Sequence, residues 1–242
     1  MLIPLPSLYH SEIEYDPFRK VFYREHPDIQ AMSKEEVKAY RELSHIRVSG
    51  ANAPRPVKTF AQMNLPVRLS RAIEKQGYED PTPIQKQAVP VGLSGRDLIG
   101  IAKTGSGKTA AFMWPLLVHV DAQRGVKRGE GPIAVVVAPT RELAHQIYVE
   151  GKKFSKKLSV RLCPIYGGVS KAEQIKQLKA GVEVLVCTPG RLMDFLRMKK
   201  ITSMRRVTFL VLDEADRMFD MGFEPQVRSI AGQIRPDRQS TL

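Results

Sequence analysis

Short apolar runs alternate with helical patterns through most of this 242-residue chain. Segments such as AVVVA and VLVC are apolar at every position, which indicates strands that are buried on both faces. Four such strands are predicted, at 133–138, 160–166, 182–187 and 209–212, and helices are predicted between them, at 140–157, 171–179 and 191–199. This alternation predicts the α/β class: a doubly wound parallel sheet flanked by helices, with ligands at the carboxyl ends of the strands.

Two further helices are predicted before these strands. The first covers residues 65–76 and ends at Gly77. The second begins where Thr82 supplies an N-cap and Pro83 a favourable first-turn residue. These helices open the globular domain, which we place at residues 59–242.

Residues 1–58 have the character of an N-terminal extension with a short helix. Ser33 and Glu36 form a capping-box signature for a helix through Glu42, and residues 49–58 have loop composition. The aromatic residues of the extension are expected to pack on the main body, with a binding site for a partner as the alternative. They are Tyr15, Phe18, Phe22 and Tyr23.

A glycine-rich stretch follows an apolar run near the start of the domain. The run at 98–101 predicts a strand, and the loop at 102–107 then leads into a helix. Glycines let successive backbone N–H groups point at one anion, and the start of a helix adds its positive end. Lys108 supplies a charge for the β- and γ-phosphates, and Thr109 a hydroxyl ligand for Mg²⁺. The usual pattern is GxxxxGK[ST], and this chain has Ala102 in place of the first glycine. A glycine-rich turn with a chance lysine is the alternative interpretation.

Two acidic residues follow the strand predicted at 209–212. A carboxylate at the end of a strand beside a phosphate loop is placed to hold Mg²⁺, and a second one can orient the attacking water. We assign Asp213 to the metal and Glu214 to the water, with Lys108 as the third catalytic residue. Either acidic residue alone is more typical of a helix N-cap, and the combination with Lys108 favours the catalytic interpretation.

The net charge of the chain indicates a second kind of ligand besides a nucleotide. The formal net charge is +13, and residues 1–60 contain nine basic and eight acidic residues. The basic excess therefore lies in the globular part, where it predicts a polyanionic partner. An ordinary solvated lysine face, as at 152–157, is the alternative.

Composition excludes some classes of protein. No apolar run approaches the roughly 18 residues that a membrane span needs, so no membrane is expected as a partner. Cys163 and Cys187 lie in strand-like runs, which predicts two buried free thiols and an intracellular, soluble protein. The five histidines have no ligand spacing with either cysteine, so no structural metal is expected.

Taken in order, the motifs resemble the first of the two RecA-like domains of a DEAD-box RNA helicase. Asp213-Glu214-Ala215-Asp216 spells the family's motif II, and AKTGSGKT at 102–109 is its form of the phosphate loop, which accounts for Ala102. Other family motifs match at Phe60 with 77–85, and at 139–143, 167–168 and 188–191. The resemblance runs from Phe60 to the end of the chain.

The resemblance implies ATP and Mg²⁺ as cofactors. Gln85 would select adenine, because its amide donates and accepts hydrogen bonds together, and either Phe60 or Tyr78 would stack on the base. The implied nucleotide-binding residues are Phe60, Tyr78, Gln85, Ala102, Lys103, Thr104, Gly105, Ser106, Gly107, Lys108 and Thr109, with Thr109 and Asp213 as metal ligands.

The resemblance also implies contacts with the RNA backbone, which would be largely indifferent to base sequence and sensitive to salt. The implied RNA-binding residues are Pro139, Thr140, Arg141, Glu142, Gly167, Gly168, Thr188, Pro189, Gly190 and Arg191. Without the family context, Arg141 has an alternative interpretation as an ion-pair partner.

The chain ends where the family continues into a second RecA-like domain, which carries an arginine finger and half of the RNA site. The resemblance therefore implies one half of a helicase core, with Asp216 coupling the two domains. Because loss of an arginine finger typically costs about 10³ to 10⁵ in rate, we expect this piece alone to be nearly inactive.

The resemblance implies an RNA-dependent ATPase that unwinds RNA or remodels ribonucleoprotein. The sequences of several segments are similar to those of a nuclear subgroup linked to pre-mRNA splicing. This similarity implies a nuclear location and spliceosomal proteins as partners. An ATP-gated RNA clamp or annealing factor is the alternative. A P-loop ATPase that acts on protein or membrane cargo is less favoured, because Gln85 and the motifs at 167–168 and 188–191 would have no function.

Overall fold

The fold is built on one parallel sheet. The computed structural model describes residues 4–198 and 200–242. Its strands are β1 Ala134–Val137, β2 Leu162–Ile165, β3 Val184–Cys187, β4 Phe209–Leu212 and β5 Gln239–Thr241. They lie in the order β2-β3-β1-β4-β5, and every pair of neighbours is parallel. The four strands that the apolar runs predict are all present, so that part of the prediction is confirmed.

Helices connect the strands and precede them. They are α1 Pro27–Gln30, α2 Lys34–Leu43, α3 Val67–Lys75, α4 Pro83–Leu93, α5 Lys108–Asp121, α6 Arg141–Ser155, α7 Lys171–Ala180, α8 Pro189–Arg197, α9 Ala215–Asp220 and α10 Glu224–Ala231. The helix predicted at 191–199 corresponds to α8, which begins two residues earlier, and residue 199 lies outside the described residues.

The sheet is covered on both faces. Successive residues of a strand point to opposite faces, and all four residues of β1 are buried. Val136 joins a cluster that includes Trp114 of α5 and Phe154 of α6. Val137 joins the opposite cluster, which includes Leu192 of α8. The predicted doubly wound parallel sheet is therefore confirmed.

The second cluster also contains the two cysteines. Cys163 and Cys187 are both buried and free, as predicted. Burial, as the largest cause, raises the pKa of Cys163 to about 12, so this thiol stays protonated and packs as a small apolar side chain.

The strand predicted at 98–101 does not form as a regular strand. Leu98 makes an isolated parallel bridge to Thr241, and its N–H donates to the Ser240 carbonyl. Ile99 is 72% exposed and Ile101 is 93% exposed. The segment lies at the edge of the sheet beside β5, so its apolar residues lack the second neighbour that buries the other strands.

The extension packs against both faces of the sheet. Its helix α2 begins with the predicted capping box: the Ser33 N–H donates to Glu36 at 2.7 Å, and the Glu36 N–H donates to the Ser33 hydroxyl at 3.1 Å. Leu5 belongs to the cluster on the α8 side, and Ile29 and Val37 belong to the cluster on the α5 side. The extension thus adds apolar residues to both halves of the core.

The aromatic residues of the extension also contact the domain, as expected. The guanidinium of buried Arg235 lies 4.5 Å from the ring centroid of Tyr15 and 4.7 Å from that of Phe18. Phe18 and Phe22 meet the buried His119 ring edge-on. Burial, followed by the charge of Lys20, lowers the pKa of His119 to about 4, so the imidazole is neutral where it meets these rings.

Within the described ranges, none of the helices combines the length and the apolar character that crossing a membrane requires.

Candidate functional site

The glycine-rich loop forms a tight turn that ends at the start of α5. Gly105 and Gly107 have positive φ angles, of 77° and 88°. These angles favour glycine because a side chain would strain the backbone there. The loop leads into a helix of 14 residues whose first residue is Lys108. The start of this long helix places unpaired N–H groups and a positive dipole end at the loop, which suits an anion.

Gln85 connects α4 to this loop. It is buried, its amide nitrogen donates to the Gly107 carbonyl at 3.2 Å, and its amide oxygen accepts from the Thr82 N–H at 3.0 Å. A Cβ on Gly107 would lie 2.5 Å from the Gln85 nitrogen, so this contact also requires glycine. Because both amide atoms have protein partners, a contact with adenine needs an exchange of these bonds, and adenine selection by Gln85 stays a prediction.

The two aromatic candidates for stacking on adenine lie beside each other. The rings of Phe60 and Tyr78 are 6.3 Å apart, and both meet Trp114 edge-on. Tyr78 also contacts Phe154, and its hydroxyl donates to Glu150 at 2.6 Å. Burial first, and then Glu150, raise the pKa of Tyr78. Phe60 has fewer contacts of this kind, which favours it over Tyr78 as the ring free to meet a base.

The acidic pair lies directly after the carboxyl end of β4. Burial is the largest influence on Asp213 and raises the pKa of its carboxyl, while the nearby charge of Lys108 opposes that shift. Lys108 at the end of the loop and Asp213 at the end of β4 are therefore near enough for their charges to interact, and their joint role in a nucleotide site stays a prediction. Glu214 has a positive φ of 54° and accepts a 3.1 Å contact from Arg217, and Asp216 is exposed in the first turn of α9.

The residues around the loop fit a nucleotide with Mg²⁺. The Ser106 hydroxyl oxygen is buried and has no hydrogen-bond partner within the described residues. This hydroxyl can therefore donate to an acceptor, such as a phosphate oxygen, bound in the loop. In nucleotide sites Mg²⁺ is usually held by one or two carboxylates with phosphates and water. The described residues contain no group of three His, Cys, Asp or Glu side chains that could hold a metal alone. A single carboxylate, that of Asp213, beside a phosphate loop matches the set that Mg²⁺ shares with a nucleotide.

The remaining residues of the loop differ in exposure. Lys103 and Thr104 are exposed, whereas Ala102 and Thr109 are half-buried. Thr109 follows Lys108 in the first turn of α5.

Most of the predicted RNA-binding residues surround one groove of about 470 Å³. The groove is lined by Pro139, Arg141, Gly167, Gly168, Thr188, Gly190 and Arg191, together with Asp194 and Phe223. A larger cavity of about 590 Å³ lies in the extension, between α2 and residues 52–55, and contains none of the predicted site residues.

Three predicted RNA-binding residues do not line the groove. The Thr140 hydroxyl accepts from the Leu143 N–H at 3.2 Å and caps α6. Pro189 is buried as the first residue of α8, and Glu142 is exposed in the first turn of α6. Thr140 and Pro189 thus shape the helix starts on which the groove is built.

Both arginines of the groove lie over aromatic rings. Arg141 lies over Tyr166, and Arg191 lies over Phe195 with 5.8 Å between the guanidinium carbon and the ring centroid. One terminal nitrogen of Arg191 is buried with no hydrogen-bond partner among the described residues. The groove therefore offers a fixed cationic donor, as an anionic ligand requires.

The sequence motifs did not indicate Asp194 or Phe223 as part of the groove, or Tyr166 as the ring under Arg141. Tyr166 directly precedes the glycine pair at 167–168, and this position is the sequence feature that could have indicated it. Asp194 lies one helical turn after Arg191, to which it makes a 3.9 Å ion pair. Phe223 comes from the segment after α9, and nothing in its local sequence indicates a place in this groove.

Known proteins resemble the chain in sequence and fold. A family described as DEAD/DEAH box helicase matches residues 82–242. The chain is 62% identical over 239 residues to a rice (Oryza sativa subsp. japonica) protein named DEAD-box ATP-dependent RNA helicase 24. The match covers 99% of this chain and 31% of that protein. The chain therefore spans about a third of the length of this curated relative.

Two solved structures share the fold. The yeast DEAD-box splicing factor Prp28 superposes with a TM-score of 0.82 at 34% identity, over 88% of this chain and 51% of that one. The RNA helicase Prp28 from Chaetomium thermophilum, bound to ADP, superposes with a TM-score of 0.80 at 37% identity, over 91% of this chain and 53% of that one.

Proposed function

Because this chain belongs to the DEAD/DEAH box helicase family, we propose that it is the ATP- and RNA-binding half of an ATP-dependent RNA helicase core. The observation that carries the proposal is the turn through Gly105 and Gly107, which ends at the start of the 14-residue helix α5 with Lys108 as its first residue. The charge of Lys108 also lowers the pKa of Asp213, at the end of β4. Residues 59–242 form the first RecA-like domain in this proposal, and residues 1–58 its N-terminal extension.

Each residue near the loop has a task in the nucleotide site. Backbone N–H groups of the loop and the charge of Lys108 hold the phosphates of ATP. Thr109 and Asp213 hold Mg²⁺, which when bound neutralises charge that develops on the phosphates. Glu214 orients the attacking water, and Phe60 stacks on adenine beside Gln85.

The groove binds the RNA backbone. Arg141 and Arg191 supply positive charge, and Gly168, Thr188 and Gly190 leave their backbone close to the ligand. Because phosphate contacts carry no sequence information, the affinity depends strongly on salt and weakly on base sequence.

The full cycle requires the second RecA-like domain. That domain supplies an arginine finger, and Asp216 contacts it when the two domains close over ATP and RNA. The chain alone therefore binds nucleotide weakly and hydrolyses it at a rate about 10³ to 10⁵ below that of the two-domain protein. RNA-stimulated hydrolysis at an ordinary rate by the isolated chain would contradict this.

The test uses a full-length protein that contains this chain, with Lys108→Ala as the variant. Removal of the lysine charge abolishes ATP-dependent crosslinking to RNA and reduces RNA-stimulated ATP hydrolysis by at least about 10²-fold, because the phosphates lose their main side-chain contact. Lys152→Ala, on the exposed part of α6, is the control and retains both activities. Unchanged crosslinking by Lys108→Ala refutes the proposal.

Two activities are compatible with this site. We favour unwinding of RNA or remodelling of ribonucleoprotein in pre-mRNA splicing in the nucleus, because Prp28 from yeast, a splicing factor, has the same fold. The alternative is an ATP-gated RNA clamp or annealing factor. Duplex-release and annealing assays on the full-length protein distinguish them: a helicase releases a strand from a short duplex with ATP, whereas a clamp retains it.

A further inference from the structure

We propose that Tyr166 and His145 are positioning residues that hold the guanidinium of Arg141 in the RNA groove. This inference rests on the proposed function of the groove. It assigns a task to two side chains that do not need to touch the RNA themselves.

The Arg141 guanidinium is held from two sides. Its central carbon lies 5.6 Å from the ring centroid of Tyr166, within the range in which an arginine and an aromatic face attract each other. One terminal nitrogen donates to the Gly168 carbonyl at 3.3 Å. A Cβ on Gly168 would lie 2.3 Å from that nitrogen, so the guanidinium occupies space that only a glycine leaves open.

Tyr166 is itself fixed at both ends. It is 6% exposed, and its hydroxyl and the Nδ1 atom of His145 on α6 share a hydrogen bond of 2.8 Å. Its backbone carbonyl accepts a 3.1 Å bond from the buried Gln174 side chain on α7. The bond to His145 anchors the ring to α6, and the bond from Gln174 anchors the tyrosine backbone to α7, so the ring cannot turn away without breaking its bond to His145.

This arrangement matters because an arginine on a helix surface is otherwise mobile. Immobilising such a side chain when RNA binds costs conformational entropy, and a side chain that is already held in place avoids most of that cost. The hydrogen bond to Gly168 is long and exposed, so the tyrosine ring is the main element that fixes the guanidinium plane. His145 acts through Tyr166, and Tyr166 acts through Arg141.

The test measures the affinity of the full-length protein for single-stranded RNA, with a non-hydrolysable ATP analogue, as a function of salt. Tyr166→Leu weakens binding about tenfold. It also lowers the slope of log affinity against log salt by about 0.7, the value of one lost phosphate contact on a single strand. Arg141→Gln gives the same change of slope, and the double variant binds no more weakly than Arg141→Gln alone.

Two milder variants test the hydrogen bond between Tyr166 and His145 alone. Tyr166→Phe keeps the ring and loses the hydroxyl, so it weakens binding about two- to threefold. His145→Ala has a similar effect, and the two changes together are no worse than either one. This pair also keeps the test decisive if Tyr166→Leu fails to fold. Tyr40→Leu is the control, since Tyr40 lies under Lys58 and Lys86 in the extension, and it leaves RNA affinity unchanged.

The outcomes separate the two proposals. If Arg141→Gln leaves RNA affinity and its salt slope unchanged, the proposed function of the groove is wrong. A second outcome is that Arg141→Gln weakens binding and the double variant binds about tenfold more weakly still. In that case only the positioning role is wrong. The same holds if Tyr166→Leu leaves the salt slope unchanged.

Discussion

At the scale of single residues, Asp213 is placed where its charged form is unfavourable. Burial raises the pKa of its carboxyl, the neighbouring Glu214 raises it further, and only Lys108 and a backbone N–H lower it. Mg²⁺ would neutralise this carboxylate, so the unfavourable charge is the kind of strain that a metal-binding residue carries for its function.

Asp213→Asn should therefore stabilise the chain at neutral pH while it abolishes Mg²⁺-dependent nucleotide binding. A carboxyl whose folded pKa is raised binds its proton more tightly in the folded than in the unfolded state. The stability that the protonated Asp213 carboxyl contributes is fully present below the ordinary pKa of 3.8, and it is lost as the pH rises through the raised pKa of the folded state. The gain in melting temperature of Asp213→Asn over the original chain thus appears across that window and vanishes in acid.

Thermal unfolding of both proteins from pH 3 to pH 8 measures this difference. Asp220→Asn, an exposed change at the end of α9, serves as the control and leaves the melting curve unchanged. A melting temperature of Asp213→Asn that falls below that of the original chain at neutral pH is evidence against a destabilising carboxylate.

Single residues also differ in how far the sequence predicts them. The spacing of Gly107, Lys108 and Thr109 predicts a phosphate loop because these residues are adjacent and would act through local backbone geometry. The partners of Gln85 and Tyr166 are not predictable in this way. Gln85 bonds to Gly107, 22 residues away, and Tyr166 bonds to His145, 21 residues away. Such contacts depend on how helices pack, which local patterns do not specify.

At the scale of elements, burial decided which predictions succeeded. Strands β1, β3 and β4 are buried at all positions, and apolar runs of this kind predict them well. The run at 98–101 is equally apolar, but it lies at the sheet edge beside β5, and Ile99 and Ile101 face solvent. The hydrophobic pattern predicts that a segment is extended; it does not predict how many neighbours the segment has.

The extension is an element whose attachment the sequence indicated only through its aromatic residues. Arg235 fastens it, with its guanidinium between the Tyr15 and Phe18 rings, a 2.9 Å bond to the Asp16 carbonyl and a 2.7 Å ion pair with Asp237. Because Arg235 lies more than 200 residues after Tyr15, Asp16 and Phe18, these contacts were not predictable from local pattern.

Arg235→Ala should lower the free energy of unfolding by about 2 kcal/mol, since two partly desolvated contacts between a cation and an aromatic ring are lost. Arg228→Ala is the matched control: its side chain is 78% exposed and pairs with Glu224 one helical turn away, so its loss costs less than about 0.5 kcal/mol. Urea unfolding of the two variants provides the comparison. Equal losses for both would mean that Arg235 does not fasten the extension.

At the scale of the whole molecule, the fold joins two segments that are about a hundred residues apart in sequence. The glycine-rich loop precedes α5, and the acidic pair ends β4, yet Lys108 and Asp213 interact. The doubly wound sheet brings them together because the phosphate loop and the carboxyl ends of the strands lie along the same edge. The class of fold was predictable from the sequence, and the shared nucleotide site at this edge stays a prediction.

The groove that we propose binds RNA follows from the same arrangement. Its lining comes from the segments that follow β1, β2, β3 and β4, so four loops at one edge of the sheet build it together. The separate motifs were predictable as anion-binding segments, and the packing of Phe223 and Tyr166 against them was not.

The position of the metal in the nucleotide-bound chain tests the proposed site most directly. Anomalous diffraction from crystals of the chain grown with Mn²⁺ and a non-hydrolysable ATP analogue measures that position. We predict one peak between the Thr109 hydroxyl and the Asp213 carboxylate, with the terminal phosphate at Lys108. A nucleotide bound elsewhere, or a metal peak remote from Asp213 with Lys108 turned into solvent, would contradict the proposed site.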